Sequence, residues 1–357
     1  MRLDSLLDSP LARAALFPVL LPASGLYAAG VMLDRCRRGR TARRLGCPTI
    51  SIGNLTVGGT GKTPVLIRLV SDLLSMGRHP AILTRGYAGV GKTSGSGIAL
   101  GWEEAASLSD EARMMADTFP TVPVAAGADR AAMADDVAKK WSAIDAFVLD
   151  DGFQHWSLHR DLDIVCIDAT DPWGGGFLLP LGRLREPSSA LRRARMVVIT
   201  RCELVDEATI EGVTAQVEVQ SRHAMVVKTS FETALVDPGT GAPDVKSGGP
   251  AIALSAIGNP RAFETGLERR GYTVEAARFA DHHALDEGDL ERVERRAKEL
   301  GAVVVTTEKD WAKLRGTRWS DPAKRPPLRI ARQKLVFAGD DEHSWRGRIA
   351  EALEAAR

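Results

Sequence analysis

Ser51-Ile-Gly-Asn-Leu-Thr-Val-Gly-Gly-Thr-Gly-Lys-Thr-Pro64 is the stretch on which the reading of this chain turns. An apolar, β-rich run enters it, and Gly58-Gly59-Thr60-Gly61-Lys62-Thr63 makes a glycine-rich turn. A helical pattern with Leu66, Leu69, Val70 and Leu73 on one face leaves it and ends near Gly77. Strand, glycine loop and helix in that order form the context a P-loop requires. Thr56, Val57, Gly58, Gly59, Thr60, Gly61, Lys62 and Thr63 are the expected phosphate cradle, with Thr56 where the consensus has its first glycine. Glycines let backbone N–H groups turn inward, and the helix N-terminus adds partial positive charge. Lys62 is expected on the β and γ phosphates and the Thr63 hydroxyl on Mg²⁺.

Such a loop needs a carboxylate near its metal, commonly at the end of an apolar strand. The run 146–149 ends in Asp150-Asp151, and both are expected there. Gly152-Phe-Gln-His155 follows, at the carboxyl end of the strand where open α/β sheets bind ligands. After the run 196–200 comes Arg201-Cys202-Glu203, not the Thr-Lys-x-Asp that reads guanine. The expected nucleotide is therefore ATP, with Mg²⁺.

Outward from this core the chain keeps an α/β rhythm. Apolar runs at 49–52, 81–84, 122–125, 146–149, 164–167 and 196–200 are separated by helix-capable stretches or long loops. This is the pattern of a mostly parallel sheet flanked by helices. Residues 206–218 read as helix, whereas 231–250 is rich in Gly, Pro, Thr and Asp without a period. A second, shorter cycle follows: strand 251–255, a helix opening at Pro260, where a missing N–H costs nothing, a further strand, helix 286–300 and strand 302–306. The expected organisation is an N-terminal apolar and basic segment over 1–45 and a P-loop domain over 46–225. A linker or hairpin over 226–250 and a smaller α/β domain over 251–357 complete it.

A chain of 357 residues has room for such an arrangement, and 44% apolar with 26% charged residues is ordinary globular usage. Lys+Arg 47 against Asp+Glu 46 leaves +1, without the basic excess of a non-specific nucleic-acid binder. Cys36, Cys47, Cys166 and Cys202 are scattered, with no zinc-ligand spacing, and read as separate thiols. The N-terminus departs from the average: residues 14–33 carry no charge, and Arg35, Arg37, Arg38, Arg40, Arg43 and Arg44 follow. The length would permit one span. Pro18 and Pro22 argue against a continuous helix, so the expectation is an interfacial hydrophobic hairpin or helix pair whose arginines face anionic headgroups. A buried helix pair, a true span and a signal peptide are the alternatives.

Taken together, these residues resemble one family, the tetraacyldisaccharide 4′-kinases of lipid A biosynthesis. The resemblance is carried by the blocks 53–64, Thr84-Arg-Gly-Tyr87, Ser109-Asp-Glu111, Asp150-Asp-Gly-Phe-Gln-His155, Leu179-Pro-Leu-Gly-Arg-Leu-Arg-Glu-Pro187, Phe279-Ala-Asp-His-His283 and Thr307-Glu-Lys-Asp310, in family order. It implies transfer of the ATP γ-phosphate to the 4′-hydroxyl of a tetraacyldisaccharide 1-phosphate, giving lipid IVA. It also implies work at the cytoplasmic face of the inner membrane, as a peripheral or monotopic enzyme, on a lipid disaccharide and against an anionic surface. Neither nucleic acid nor an obligate protein partner is expected.

By the same resemblance Asp110 is the general base, and His282, from the second domain, orients it. Arg185 and Glu186 clamp and orient the transferring phosphate. Asn54, Arg85, Arg130, Gln154 and His155 are expected on the disaccharide and its 1-phosphate, and 308–310 receives no role. A membrane-associated ATPase switch or a soluble sugar or nucleoside kinase would also carry the loop and the acids. The switch gives no reason for an Asp110/His282 pairing.

Overall fold

The structure is a computed structural model that describes residues 10–86, 96–105, 107–244, 248–257, 260–280, 283 and 285–355. In chain order its elements begin α1 (Pro10–Gly39), β1 (Thr49–Asn54), α2 (Lys62–Ser75), β2 (Pro80–Thr84), β3 (Gly97–Leu100), α3 (Gly101–Ala105), α4 (Asp110–Thr118) and β4 (Pro123–Ala126). Then come α5 (Arg130–Lys140), β5 (Ala146–Asp150), β6 (Leu162–Asp168), β7 (Met196–Thr200), α6 (Glu207–Gln220) and β8 (Met225–Val236). The last are β9 (Gly249–Ser255), α7 (Pro260–Glu268), β10 (Tyr272–Arg278), α8 (Glu287–Leu300), β11 (Val303–Thr307), α9 (Glu308–Leu314), β12 (Leu328–Phe337) and α10 (Asp341–Ala355).

The described chain forms two compact units, and their boundaries differ from the expected ones. The first comprises 1–85, 129–230 and 335–357; the second comprises 86–128 and 231–334. Residues 86–128, expected in the P-loop domain, join the second unit. Residues 335–357, expected in the C-terminal domain, join the first. The segment expected as a linker is partly strand, because β8 runs on through Val236. Its alternation of half-buried residues lacks the continuous apolar run that marks a strand covered on both faces.

The first unit is built on a parallel sheet in the order β8-β7-β6-β1-β5-β2. Every residue of β1 is buried, as a strand covered on both faces requires. Leu55, Phe153, Val165, Ile167, Leu191, Val197 and Ile199 pack as one apolar cluster, each worth about 1.5–3 kcal/mol on burial. The late helix α10 is anchored by Trp345, which is fully buried and donates its indole N–H to Asp72 of α2 at 2.8 Å. Arg346 reaches the other oxygen of the same carboxylate at 2.9 Å. These side-chain bonds, between residues 273 and 274 positions apart, explain why so late a helix belongs to the P-loop unit.

The helix α1 corrects the expectation of a hairpin or helix pair. It is a single 30-residue helix with Pro18 and Pro22 inside it. The two prolines stand four residues apart, so they lie on one face, and that face is exposed. The carbonyls they release, those of residues 14 and 18, open to the same side, and the helix continues past them. Its other side docks through Ser24, whose hydroxyl donates to Leu178 O at 3.0 Å and accepts from the Leu181 N–H at 3.2 Å. Phe17 meets Phe177 edge-on at 6.1 Å. The buried-pair alternative fails as well, since Val19, Leu26, Met32 and Leu33 are each at least two-thirds exposed.

The second unit holds the parallel strands β10-β9-β11-β12 and the antiparallel pair β3-β4. Leu290, Val293 and Ala297 recur along α8 at helical spacing and pack with Leu254, Val304, Leu314, Trp319 and Ile330. A capping box from Asp286 and Asp289 starts α8, and Gly301 ends it at φ 59°. The cycle that periodicity predicts for 251–306 is therefore the one observed.

Candidate active site

The glycine loop folds as its composition dictates. Gly61 caps α2 at φ 78° and ψ 17°, a left-handed conformation that L side chains adopt only under strain. A Cβ on Gly58 or Gly59 would meet nothing within 4 Å, so the inner face of the turn is open. Side chains brace the loop from behind: Asn54 Nδ2 donates to Thr56 O at 2.7 Å and to Thr60 Oγ1 at 3.0 Å. Thr200 Oγ1, at the end of β7, donates to Thr60 O at 3.0 Å. The segment that follows β6 fixes the other edge, through Val57 N–H to Arg183 O at 2.8 Å and Arg185 N–H to Leu55 O at 2.6 Å.

Facing the loop, β5 pairs with β1 in register Ile52↔Asp150, and the chain turns sharply after it. Asp151 is one of two non-glycine residues with positive φ among the described residues, at 50°. Aspartate tolerates that region better than most residues, and strain of this kind persists where the surroundings enforce it. Here they do. The Gly152 N–H donates to Ile52 O at 3.0 Å, and a Cβ at Gly152 would fall 2.7 Å from Ser51 Oγ.

The strained aspartate collects cations. Lys62 Nζ lies 3.5 Å from Asp151 Oδ1, and Arg185 Nη1 donates to Oδ2 at 2.8 Å. Arg130, 2% exposed and the first residue of α5, donates to Asp151 O at 3.3 Å. Burial alone would raise the Asp151 pKa, but the Lys62 and Arg185 charges, the Arg185 hydrogen bond and the Arg130 charge outweigh it. The carboxyl is held below its ordinary value. A partly buried carboxylate kept ionised between a loop lysine and two arginines suits a divalent cation and phosphate oxygens.

Glu186 sits beside this group, 3% exposed. Its Oε1 accepts from Gln154 Nε2 at 3.0 Å and from Arg193 Nη2 at 2.9 Å, while Gln154 also donates to Asn54 O at 3.0 Å. His155 is half-buried, and its Nε2 is 3.0 Å from Ser157 Oγ. Burial first, then the charges of Arg130, Arg160 and Arg38, push its pKa down to about 4. The imidazole is neutral at pH 7.

Of the predicted residues, the structure brings Lys62, Asp151, Arg185, Arg130, Gln154 and Glu186 into one linked group, all in the first unit. Thr63 follows Lys62 in the first turn of α2, and Asp150 ends β5. Arg85 follows β2 directly and is exposed. Asn54, expected on the disaccharide, is buried; its Nδ2 braces the cradle while its Oδ1 has no hydrogen-bond partner among the described residues. The residue that sequence reasoning misses is Arg193, which holds Glu186 and stacks over Phe153 at 4.2 Å. An arginine in a short 3₁₀ turn carries no motif, and only its stacking and its ion pair reveal it.

Asp110 lies in the second unit as the first residue of α4, after Ser109, whose hydroxyl accepts from the Ala112 N–H as the helix cap. Lys313 Nζ of α9 is 4.0 Å from Asp110 Oδ2 and 3.0 Å from the fully buried Asp310. Asp310 in turn accepts from the Ala256 N–H at 3.0 Å, so the block 307–310 closes ion pairs within its own unit. His282 lies outside the described residues. Its neighbour His283 has Nε2 2.7 Å from Asp289 Oδ2 and stacks on Phe279 at 5.2 Å. Among the described residues no group of three or more His, Cys, Asp or Glu side chains could hold a metal by itself. All four cysteines are free.

Comparison with known proteins places the chain in one family. The family model described as Tetraacyldisaccharide-1-P 4'-kinase matches residues 16–354. A tetraacyldisaccharide 4'-kinase of Anaeromyxobacter sp. (strain Fw109-5) is 40% identical over 96% of this chain and 92% of its own length. The enzyme of the same name from Geobacter sulfurreducens is 36% identical over 83% of this chain and 84% of its own. The crystal structure of the "apo" form of LpxK from Aquifex aeolicus in complex with ATP superimposes with a TM-score of 0.68. The two are 26% identical, over 96% of this chain and 99% of that one.

Proposed function

The chain belongs to the tetraacyldisaccharide-1-P 4'-kinase family, and from that premise we propose which of its residues carry the reaction and where it takes place. The activity is transfer of the γ-phosphate of ATP to the 4′-hydroxyl of a tetraacyldisaccharide 1-phosphate, a step of lipid A biosynthesis that gives lipid IVA.

The loop from Thr56 to Thr63 binds the triphosphate through inward N–H groups, and Lys62 neutralises charge on its outer phosphates. Mg²⁺, when bound, supplies further neutralisation of the phosphate oxygens, held by Thr63 with Asp150 and Asp151. Arg185 meets the transferring phosphate with planar, bidentate donors, and Glu186, braced by Gln154 and Arg193, keeps that arginine's segment in register. Asp110 takes the proton from the 4′-hydroxyl as its oxygen bonds to phosphorus. The bond between phosphorus and the β–γ bridging oxygen breaks, and ADP leaves with the electron pair. His282 orients Asp110. Asn54, Arg85, Arg130, Gln154 and His155 are assigned to the disaccharide and its 1-phosphate.

An acceptor with four acyl chains resides in a bilayer. Among the described residues, one helix is long and apolar enough to cross a membrane by length and composition, within Leu16–Gly39, and almost none of it is buried. We place the enzyme on the cytoplasmic face of the inner membrane, where ATP is supplied, with α1 against the lipid and its arginines toward anionic headgroups.

The observation that carries this assignment is the Asp151 carboxylate, forced into a left-handed turn between Lys62 and Arg185. The test is transfer of labelled γ-phosphate from Mg·ATP to a tetraacyldisaccharide 1-phosphate in neutral detergent, beside a water-soluble disaccharide and a no-acceptor control. Label in the lipid, lost in Lys62→Ala and Asp110→Asn, is expected. Acceptor-independent phosphate release without labelled lipid would overturn the reading in favour of an ATPase switch.

A further inference from the structure

The block Thr307-Glu-Lys-Asp310 has no part in the chemistry so far, yet it stands at a telling place in the second unit. There β9 leads through α7 to β10 on one side, and β10 returns through α8 to β11 on the other. The strand order reverses between β9 and β11, and open α/β sheets bind ligands outside the carboxyl ends of such a pair. Ala256 follows β9 directly and Thr307 is the last residue of β11, so both stand at those ends.

Two opposite charges are buried at this point. Asp310 is fully buried, and three donors reach its carboxylate. Its Oδ2 accepts from the Ala256 N–H at 3.0 Å and from the Thr307 hydroxyl at 2.9 Å, and its Oδ1 accepts from Lys313 Nζ at 3.0 Å. The Lys313 side chain is 8% exposed. An ammonium carries three donors and no acceptor. Asp310 Oδ1 takes one, and Ala256 O, at 3.5 Å, takes another. The further acceptor within ion-pair reach is Asp110 Oδ2, at 4.0 Å.

Stability alone does not account for these charges, since a buried ion pair gains little over apolar side chains of the same volume. Nor does α4 need them for its start, which the Ser109 hydroxyl already caps. What the pair supplies is direction. Asp310 is bonded to the backbone at the end of β9 and to the Thr307 hydroxyl that caps α9, so its charge is fixed in place. Lys313, one turn along α9, carries that fixed point across to the first residue of α4. A carboxylate at the end of a nine-residue helix, where helices fray, is thereby held by an element other than its own.

We propose that Lys313 is a positioning residue for the phosphoryl transfer: anchored by the buried Asp310, it aims the Asp110 carboxylate at the acceptor hydroxyl. It acts through Asp110, and so rests on the reading of Asp110 as the base.

The experiment measures kcat and both KM values of the full-length enzyme with Mg·ATP and a tetraacyldisaccharide 1-phosphate in neutral detergent. Lys313→Met alone strands the Asp310 charge in the interior. It is therefore run beside Lys313→Met/Asp310→Asn, which leaves no uncompensated charge, and urea unfolding midpoints identify the folded variants. In these kcat should fall at least about tenfold while both KM values stay within about threefold, because a misaimed base slows transfer and leaves binding alone. In an Asp110→Asn background the same change should lower kcat by less than about threefold, as expected when one residue acts through another.

A lysine with a merely structural role would cost the same factor in both backgrounds, or would raise KM along with it. Either result overturns the proposal, as does wild-type kcat in the folded pair variant. The two readings also fail differently. Asp110→Asn at wild-type turnover removes the base and the lysine's role with it, whereas a crippled Asp110→Asn beside an undiminished pair variant removes the lysine's role alone.

Discussion

At the scale of single residues, the site works by making charges hold one another in positions they would not take alone. Asp151 keeps its left-handed backbone because the turn at Gly152 is tied to Ile52, and stays ionised because Lys62, Arg185 and Arg130 surround it. Removing Lys62 takes away a charge-assisted contact to the transferring group, so Lys62→Ala should lower kcat/KM at least about 100-fold, or about 3 kcal/mol of transition-state stabilisation. Asp110→Asn belongs to the proton and not to the nucleotide. Its kcat should fall by about two orders of magnitude or more, while the ATP affinity measured by calorimetry stays within a factor of three. Unchanged turnover would remove Asp110 from the role of base.

His155 makes a separate prediction about stability. Its native pKa of about 4 lies below its ordinary 6.5, so between these values the unfolded chain takes up a proton that the native chain refuses. Its contribution is therefore fully present above pH 6.5 and declines as pH falls toward 4. Asp151 acts lower on the scale. Its depressed pKa adds stability above the ordinary 3.8 that is lost only at more acid pH. In urea titrations at about pH 7 and about pH 5, His155→Asn should lose less stability on acidification than the wild type. An identical loss would mean that the imidazole is protonated already in the native state.

At the scale of elements, the described residues that attach α1 to its unit include the Ser24 hydroxyl, the Phe17–Phe177 ring pair, Arg35 over Trp156 and the half-buried Tyr27. Among its described side chains, Val19, Leu26, Met32 and Leu33 are each at least two-thirds exposed. A helix so lightly held contributes little to the core it leans on, so deleting residues 1–33 should weaken partitioning to anionic vesicles at least tenfold while ATP affinity changes less than threefold. Equal loss of both would return α1 to the role of a core helix. Its continuity was not legible in the sequence. Two prolines read as breakers when each is considered alone, and as tolerable only once they are seen on one exposed face.

At the scale of the whole molecule, the units are assembled from interleaved segments. Residues 335–357 return to the P-loop unit, where Trp345 and Arg346 grip Asp72 of α2, the helix that opens at Lys62. Truncation after residue 334 should therefore abolish nucleotide binding, through loss of a fully buried tryptophan and of the partners of a buried aspartate. The first of these alone costs about 3–5 kcal/mol. Calorimetric ATP affinity within threefold of the full chain would show that α10 is dispensable to this unit.

The sequence by itself determined what depends on local order: the strand-loop-helix around Lys62, the acid pair ending β5, the alternation of apolar runs with helices, and the family blocks. Each is a spacing between near neighbours, fixed by backbone geometry and periodicity. The tertiary structure decided what depends on residues far apart in the chain. It set Arg185 against Asp151 and Trp345 against Asp72, grouped residues 86–128 with 231–334, and brought Arg35 and Arg193 over Trp156. The physical reason is that long-range packing and electrostatics act between side chains that no sequence window contains. A charge's role is set by which other charges the fold brings within a few ångströms.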